Sequence, residues 1–132
     1  MDYPAISFEE KFAKFSEHFR PKVIAQMNDY HLKLVKFEGE FVWHAHADTD
    51  EVFIVLEGAM TIHFRDQDVL VGSGELFVVP KGVEHKTSAT DECKALIIER
   101  GGTVNTGEVV DAKTAPNGIP ALLRMSGLTK MM

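Results

Sequence analysis

Cysteine is nearly absent from this 132-residue chain: Cys93 stands alone. No intrachain disulfide can form, which excludes a disulfide-stapled scaffold and fits a reducing compartment. Long apolar runs are missing too, and no stretch approaches the roughly 18 apolar residues that a transmembrane helix needs. The opening string MDYPAISFEEKF carries acid where a signal peptide wants Lys or Arg, and it has no apolar core segment. The expectation is a cytoplasmic protein with no membrane association. Basic runs are also lacking. Fourteen Lys and Arg stand against twenty Asp and Glu, a net charge of -6. A nucleic-acid surface needs clustered cations, so no nucleic-acid partner is expected. There is no internal repeat, and the length favours one domain with one proper core.

What is present divides into a helical start and a β-rich body. Ser7 can cap a helix, and Glu10 three residues later fits a capping box. Phe8, Phe12, Phe15 and Phe19 fall at i, i+4, i+7 and i+11, one apolar stripe at helical spacing. This predicts an amphipathic helix over residues 1–21, stopped by Pro21. The stripe would pack on the domain's own sheet or on a partner subunit. From Lys22 onward short runs rich in β-branched and aromatic residues follow one another: 23–27, 30–37, 51–56, 59–65, 68–72, 75–80 and 93–99. Turn signals such as Asn28-Asp29, Glu57-Gly58 and Lys81-Gly82 separate them. Many short strands at near-regular spacing mean an all-β sandwich or barrel. EVFIVL (51–56) is apolar on both faces, as a covered central strand is. The predicted division is a helix at 1–21, a β-barrel domain at 22–105, and a partly disordered extension at 106–132 with one or two short strands.

Chemistry concentrates in VWHAHADTDE. His44 and His46 are two apart, and alternate residues of an extended chain face the same way, so two imidazoles can aim at one point. Glu51 follows at the mouth of the next strand. His85 lies beyond it, after the Pro80-Lys-Gly82 turn. Three imidazoles and a carboxylate suit Fe, Mn, Co, Ni, Cu or Zn as divalent ions. A lone His-x-His is more often two surface histidines than a ligand pair, so the pieces alone decide little.

Their frame resembles the two motifs of the cupin family, G(X)5HXH(X)3,4E(X)6G and G(X)5PXG(X)2H(X)3N. The first is matched by Gly39, His44, His46, Glu51 and Gly58, the second by Gly74, Pro80, Gly82 and His85. Fifteen residues lie between Gly58 and Gly74. The motifs span 39–89, and the strand pattern extends the likeness to about 22–100. Two positions depart from the pattern. Only four residues separate Gly39 from His44, and Ala89 stands where the second motif ends in Asn. The resemblance implies a small antiparallel jelly-roll barrel with one divalent metal held by His44, His46, Glu51 and His85. It also implies a homodimer, for which the Phe stripe gives an independent motive.

Around those residues, Phe53 and Val55 share a face with Glu51, and Phe77 and Val79 are their counterparts on the Gly74 strand. All four are expected to line a pocket. Trp43 points away from the imidazoles by alternation, toward core or interface. His63 falls on a solvated face, Cys93 in the core, and Glu84 could orient His85. No Ser/His/Asp arrangement or phosphate-cradling loop identifies a reaction. The expected function is a metal-dependent enzyme on a small-molecule ligand, isomerase-like or dioxygenase-like, since the chain looks like short cupins loosely labelled mannose-6-phosphate isomerase-like. The absence of an Arg or Lys cluster does not favour a sugar phosphate. The alternative is a non-enzymatic cupin that senses or stores a small ligand or metal.

Overall fold

A computed structural model describes residues 4–107, 109 and 112–115. The order is a helix α1 (Phe8–Phe12), then strands β1 (Lys22–Met27), β2 (Tyr30–Glu40), β3 (Glu51–Glu57), β4 (Ala59–His63), β5 (Asp68–Gly72), β6 (Leu76–Val79) and β7 (Lys86–Arg100). All pairings are antiparallel. The main path runs β1-β2-β7-β3-β6, with β4 joined to both β5 and β7. Strands appear where β-branched alternation places them, and the two-residue Asn28-Asp29 loop joins Met27 to its partner Tyr30. Asn28 takes a left-handed conformation there, which its short polar side chain tolerates.

Strand β7 organises the sheet. Along 93–100 it pairs with β2, and over 94–98 with β3 on its other edge. Near its start, residues 86–88 pair with β4. It is longer than the run 93–99 read from the sequence, because SAT and DE at 88–92 look like a loop locally. Alternation along β3 sorts its side chains. Glu51, Phe53 and Val55 are buried on one face, while Ile54 and Leu56 are partly buried on the other. The first face joins the main core with Phe37, Met60, Ile62, Val79 and Ile97. The second meets Phe12, Phe15, Ile24, Leu34 and Leu96. So β3 is covered on both sides, as its doubly apolar sequence implies.

The N-terminal helix is far shorter than predicted. Ser7 does cap it, its side chain accepting from the Glu10 N–H at 3.1 Å, but the helix spans five residues and closes at Ala13. The aromatic stripe therefore breaks up. Phe12 and Phe15 pack on the sheet, Phe8 is 40% exposed, and Phe19 leaves this layer for the main core. Five residues cannot sustain a helix on propensity, and tertiary burial of Phe12 and Phe15 outweighs continuing it. Phe12, Phe15 and Phe19 are thus satisfied within their own domain, and Phe8 stays exposed. After Arg100 the described residues contain turns and no strand. The partly disordered extension predicted at 106–132 lies largely outside the described residues. No helix among the described residues is long and apolar enough to cross a membrane.

Two motif positions that depart from the expected pattern turn out to be neighbours. Gly39 and Ala89 are cross-strand partners, beside a register shift between Phe37 and Gly39. Ala89 is buried as a core residue.

Candidate metal centre

The four histidine and glutamate residues converge, although His44 and His46 do not sit on a regular strand. His44 forms an isolated bridge with His85, each N–H donating to the other's carbonyl at 2.9 and 2.8 Å. This closely spaced pair sets the rings 4.4 Å apart between centroids. His46 follows on an irregular segment, its ring 4.9 Å from that of His44. The Pro80–Gly82 turn is tied to it, Gly82 N–H donating to the His46 carbonyl at 2.7 Å. Gly82 has φ +79°, a conformation that L side chains rarely adopt, which gives the motif glycine its reason. Glu51 enters as the first residue of β3. One ligand atom from each of the four residues lies within 4.8 Å of the others, and all four residues are buried.

Hydrogen bonds fix how two of the rings face. His44 Nδ1 lies 2.8 Å from the Val42 carbonyl, and His85 Nδ1 lies 3.0 Å from the Val83 carbonyl. A carbonyl only accepts, so both Nδ1 atoms carry a proton and both Nε2 atoms turn inward. Backbone carbonyls are common outer partners of metal-binding imidazoles. Glu51 Oε1 sits 3.2 Å from His85 Nε2 and 3.4 Å from His46 Nε2. Neither ring nitrogen of His46 has a hydrogen-bond partner, although both are buried. The 3.4 Å approach to Glu51 is too poorly aligned to serve as one.

The electrostatics follow from this packing. Burial pushes His44 down to about 4, helped by the neighbouring His85 charge. Burial would lower His85 too, but the hydrogen bond and charge of Glu51 outweigh it and the pKa rises. Burial alone would raise Glu51, yet the neighbouring His46 and His85 rings hold it well below the carboxylate range. An ionised carboxylate facing inward Nε2 atoms is the protonation pattern that a divalent ion needs.

A narrow cavity of about 40 Å³ opens beside His44 and Glu51. Its wall is largely aromatic: Phe19, Phe37, Phe41 and Phe53. Of the expected lining residues only Phe53 takes part. Val55, Phe77 and Val79 do not line this cavity: Val55 and Val79 belong to the main core and Phe77 packs against it, although Phe77 and Val79 pair across the sheet with Phe53 and Glu51. Glu99, which belongs to neither motif, does line it. Its Oε2 accepts from Lys33 Nζ at 2.9 Å and its Oε1 has no hydrogen-bond partner. Burial pushes Glu99 well above the usual carboxylate range, and the nearby Glu51 charge adds to this. A signal was available: alternation from Cys93 through Ala95 and Ile97 puts Glu99 on the buried face.

The remaining expectations have clear outcomes. Glu84 does not orient His85; it is exposed and pairs with Arg65 at 2.7 Å, and the Val83 carbonyl does that work. Trp43 lies under the Arg65 guanidinium, 3.8 Å from its ring centroid, with Lys86 at 5.3 Å. His63 is half-buried, with Asp68 Oδ1 at 2.8 Å from Nδ1 and Ser88 Oγ at 2.7 Å from Nε2. A Ser/His/Asp arrangement invisible in the sequence is therefore present on the sheet. Cys93 is fully buried.

Comparison with known proteins decides the family. The cupin domain model matches residues 32–99. The chain belongs to the cupin family. It is 62% identical to a cupin-2 domain protein from Shewanella frigidimarina of known structure, with TM-score 0.71, covering 72% of this chain and 93% of that one. A structure from Neisseria meningitidis is 30% identical with TM-score 0.68, covering 74% of this chain and all of that one. This cupin is also 38% identical to the uncharacterised Bacillus subtilis protein YdbB over 92 residues, 69% of this chain and 75% of that protein. Both cupin motifs lie within or at the edges of the alternating sheet described above. The departures at Gly39 and Ala89 leave all four site residues in place.

Proposed function

We propose that this cupin holds one divalent metal through His44, His46, Glu51 and His85, and that it is a metal-dependent enzyme acting on a small molecule. The observation that carries this is the clustering of four buried donors within 4.8 Å, with both ring nitrogens of His46 left without a partner. A buried polar atom without a partner costs about 1–3 kcal/mol, and an ion would give His46 the partner it lacks. The donor set fits the group: three imidazoles and an ionised carboxylate, with inward Nε2 atoms on His44 and His85, the His85 proton being displaced when an ion binds. When bound, such an ion supplies Lewis-acid polarisation of a ligand oxygen at positions the protein leaves open. His44 and His85 are held by their backbone hydrogen bonds, Glu51 is held by His85, and Phe19, Phe37, Phe41 and Phe53 line the ligand side. Isomerase-like and dioxygenase-like reactions both fit this arrangement. The sheet is read as closed into a jelly-roll barrel, supported by the joining of β4, β2 and β3 through β7.

The test is chelator-competition titration of untagged protein with Ni(II), Zn(II), Mn(II) and Fe(II). The expected result is one ion per chain, with uptake lost in a His44→Ala, His46→Ala double variant. No uptake by the wild type, or equal uptake by the variant, would sink the reading. A second reading, a non-enzymatic metal- or ligand-binding cupin, is favoured by the narrowness of the cavity. It predicts ligand-induced stabilisation without turnover. We also propose a homodimer formed through the exposed apolar residues Leu70, Leu76 and Val78 on β5 and β6, which are 72%, 59% and 44% exposed. Sedimentation showing a monomer at micromolar concentration would count against it. The reading keeps the protein cytoplasmic, without nucleic-acid or membrane partners.

A further inference from the structure

The cavity beside His44 and Glu51 has an unusual wall. Phe19 sits in a left-handed backbone conformation at φ 62°, which is uncommon for a bulky residue and costs free energy. Its surroundings hold it there. The Phe19 N–H donates to the Lys36 carbonyl at 2.9 Å, and the Phe19 carbonyl accepts from Asn105 Nδ2 at 3.0 Å. The ring is thereby placed against Phe41, stacked at 5.1 Å and 14°, and against Phe37 at 5.8 Å. Phe41 in turn meets the His44 ring edge-on at 5.3 Å. One strained residue thus anchors an aromatic stack that ends on a candidate ligand.

We propose that Phe19 is the size-determining residue of this site, restricting its ligand to a compact molecule of a few heavy atoms that carries no phosphate. The proposal deepens the reading of the site as a small-molecule centre and rests on it. The size limit follows from volume. The cavity measures about 40 Å³, whereas apolar cavities that admit benzene are on the order of 150 Å³. The charge limit follows from the lining. Among the described residues it contains two carboxyl groups, Glu51 and Glu99, and neither Lys nor Arg. Lys33 lies behind Glu99, held by it and by the Thr103 carbonyl. Lys113 sits over the Phe19 ring at 5.1 Å and donates to the Glu40 carbonyl. A phosphate dianion entering the cavity would meet the ionised Glu51 with no cationic side chain in the lining to pair with.

The experiment uses the full chain stripped of metal with EDTA. Phenol and glucose 6-phosphate are titrated into the wild type and into Phe19→Gly and observed by ligand-detected NMR. Glycine accepts the left-handed backbone, so this variant removes the ring without adding backbone strain. Phe19→Leu, which keeps an apolar side chain but opens part of the space, is the second variant. Thermal melts check that each variant is folded. The expected result is phenol binding at least tenfold tighter in Phe19→Gly than in the wild type, with Phe19→Leu between them and no sugar phosphate binding in any form. Equal phenol binding across the three proteins, or glucose 6-phosphate binding to the wild type, overturns the proposal. A chain that takes up no metal would refute the metal reading while leaving this comparison intact.

Discussion

Replacing His46 by Leu should make the metal-free protein more stable while destroying its capacity for metal. The His46 side chain is 3% exposed and neither nitrogen has a hydrogen-bond partner. Each unmade buried hydrogen bond costs about 1–3 kcal/mol, so the ring carries a penalty of roughly 2–6 kcal/mol. Against this, Glu51 loses a neighbour at 3.4 Å. It keeps His85 at 3.2 Å, so the loss is limited to about 1–2 kcal/mol. Leu is close to His in size and adds apolar contact in a buried place. Subtraction leaves roughly 0–5 kcal/mol; the expected gain lies toward the low end, about 1–2 kcal/mol of added stability, or roughly 3–8 °C in Tm for a domain of this size. The assay is thermal unfolding followed by circular dichroism, once with EDTA and once with excess Ni(II) or Zn(II). With EDTA the variant melts higher. With metal the order inverts, because an ion at a hundred times its Kd adds about 2.7 kcal/mol to the wild type alone. A metal-free His46→Leu protein destabilised by more than about 1 kcal/mol would refute the reasoning, since His46 would then be making contacts that stabilise the fold without metal.

Other perturbations test the frame around the centre. Gly58→Ala should destabilise by about 2–4 kcal/mol in urea, because φ is +87° and a Cβ would lie 2.9 Å from the Glu92 carbonyl oxygen; a loss below about 0.5 kcal/mol would contradict this. Phe12→Ala should cost about 3 kcal/mol and Phe8→Ala well under 1 kcal/mol, since Phe12 is 6% and Phe8 40% exposed; equal costs would restore the continuous amphipathic helix. Burial pushes the Cys93 thiol up from 9.0 to about 12. A thiol whose folded pKa is raised contributes no pH dependence below about 9, and stability falls as pH rises from 9 toward 12. A Cys93→Ala variant should lose that alkaline slope, and native Cys93 should react with thiol reagents at pH 8 only at the rate of unfolding. Prompt labelling of the folded protein would contradict it.

Most strand positions could be read from the chain by short-range rules, whereas the four residues of the centre were legible through the likeness of their spacing to the cupin motifs. Alternation marks buried faces, and the motif glycines sit where turns require left-handed backbone. What could not be read depends on distant partners. The i, i+4, i+7, i+11 spacing of Phe8 to Phe19 is satisfied equally by a helix and by a chain that turns after five residues, and the sheet surface selects the second. Val55, Phe77 and Val79 share a face with Glu51 or its neighbours, but alternation cannot say how far along the strand the cavity extends. Phe19, Phe41 and Asn105 reach the cavity only through tertiary contacts that no local pattern encodes. Glu99 was the exception, legible as a carboxylate at an inward position of an apolar strand.

X-ray absorption at the metal edge of Ni(II)- or Zn(II)-loaded untagged protein tests the central claim most directly. The account predicts a first shell of three imidazole nitrogens and a carboxylate oxygen at about 2.0–2.2 Å, with at least one imidazole lost in His44→Ala. A shell of water oxygens with fewer than three imidazoles, or one unchanged by His44→Ala, would contradict it.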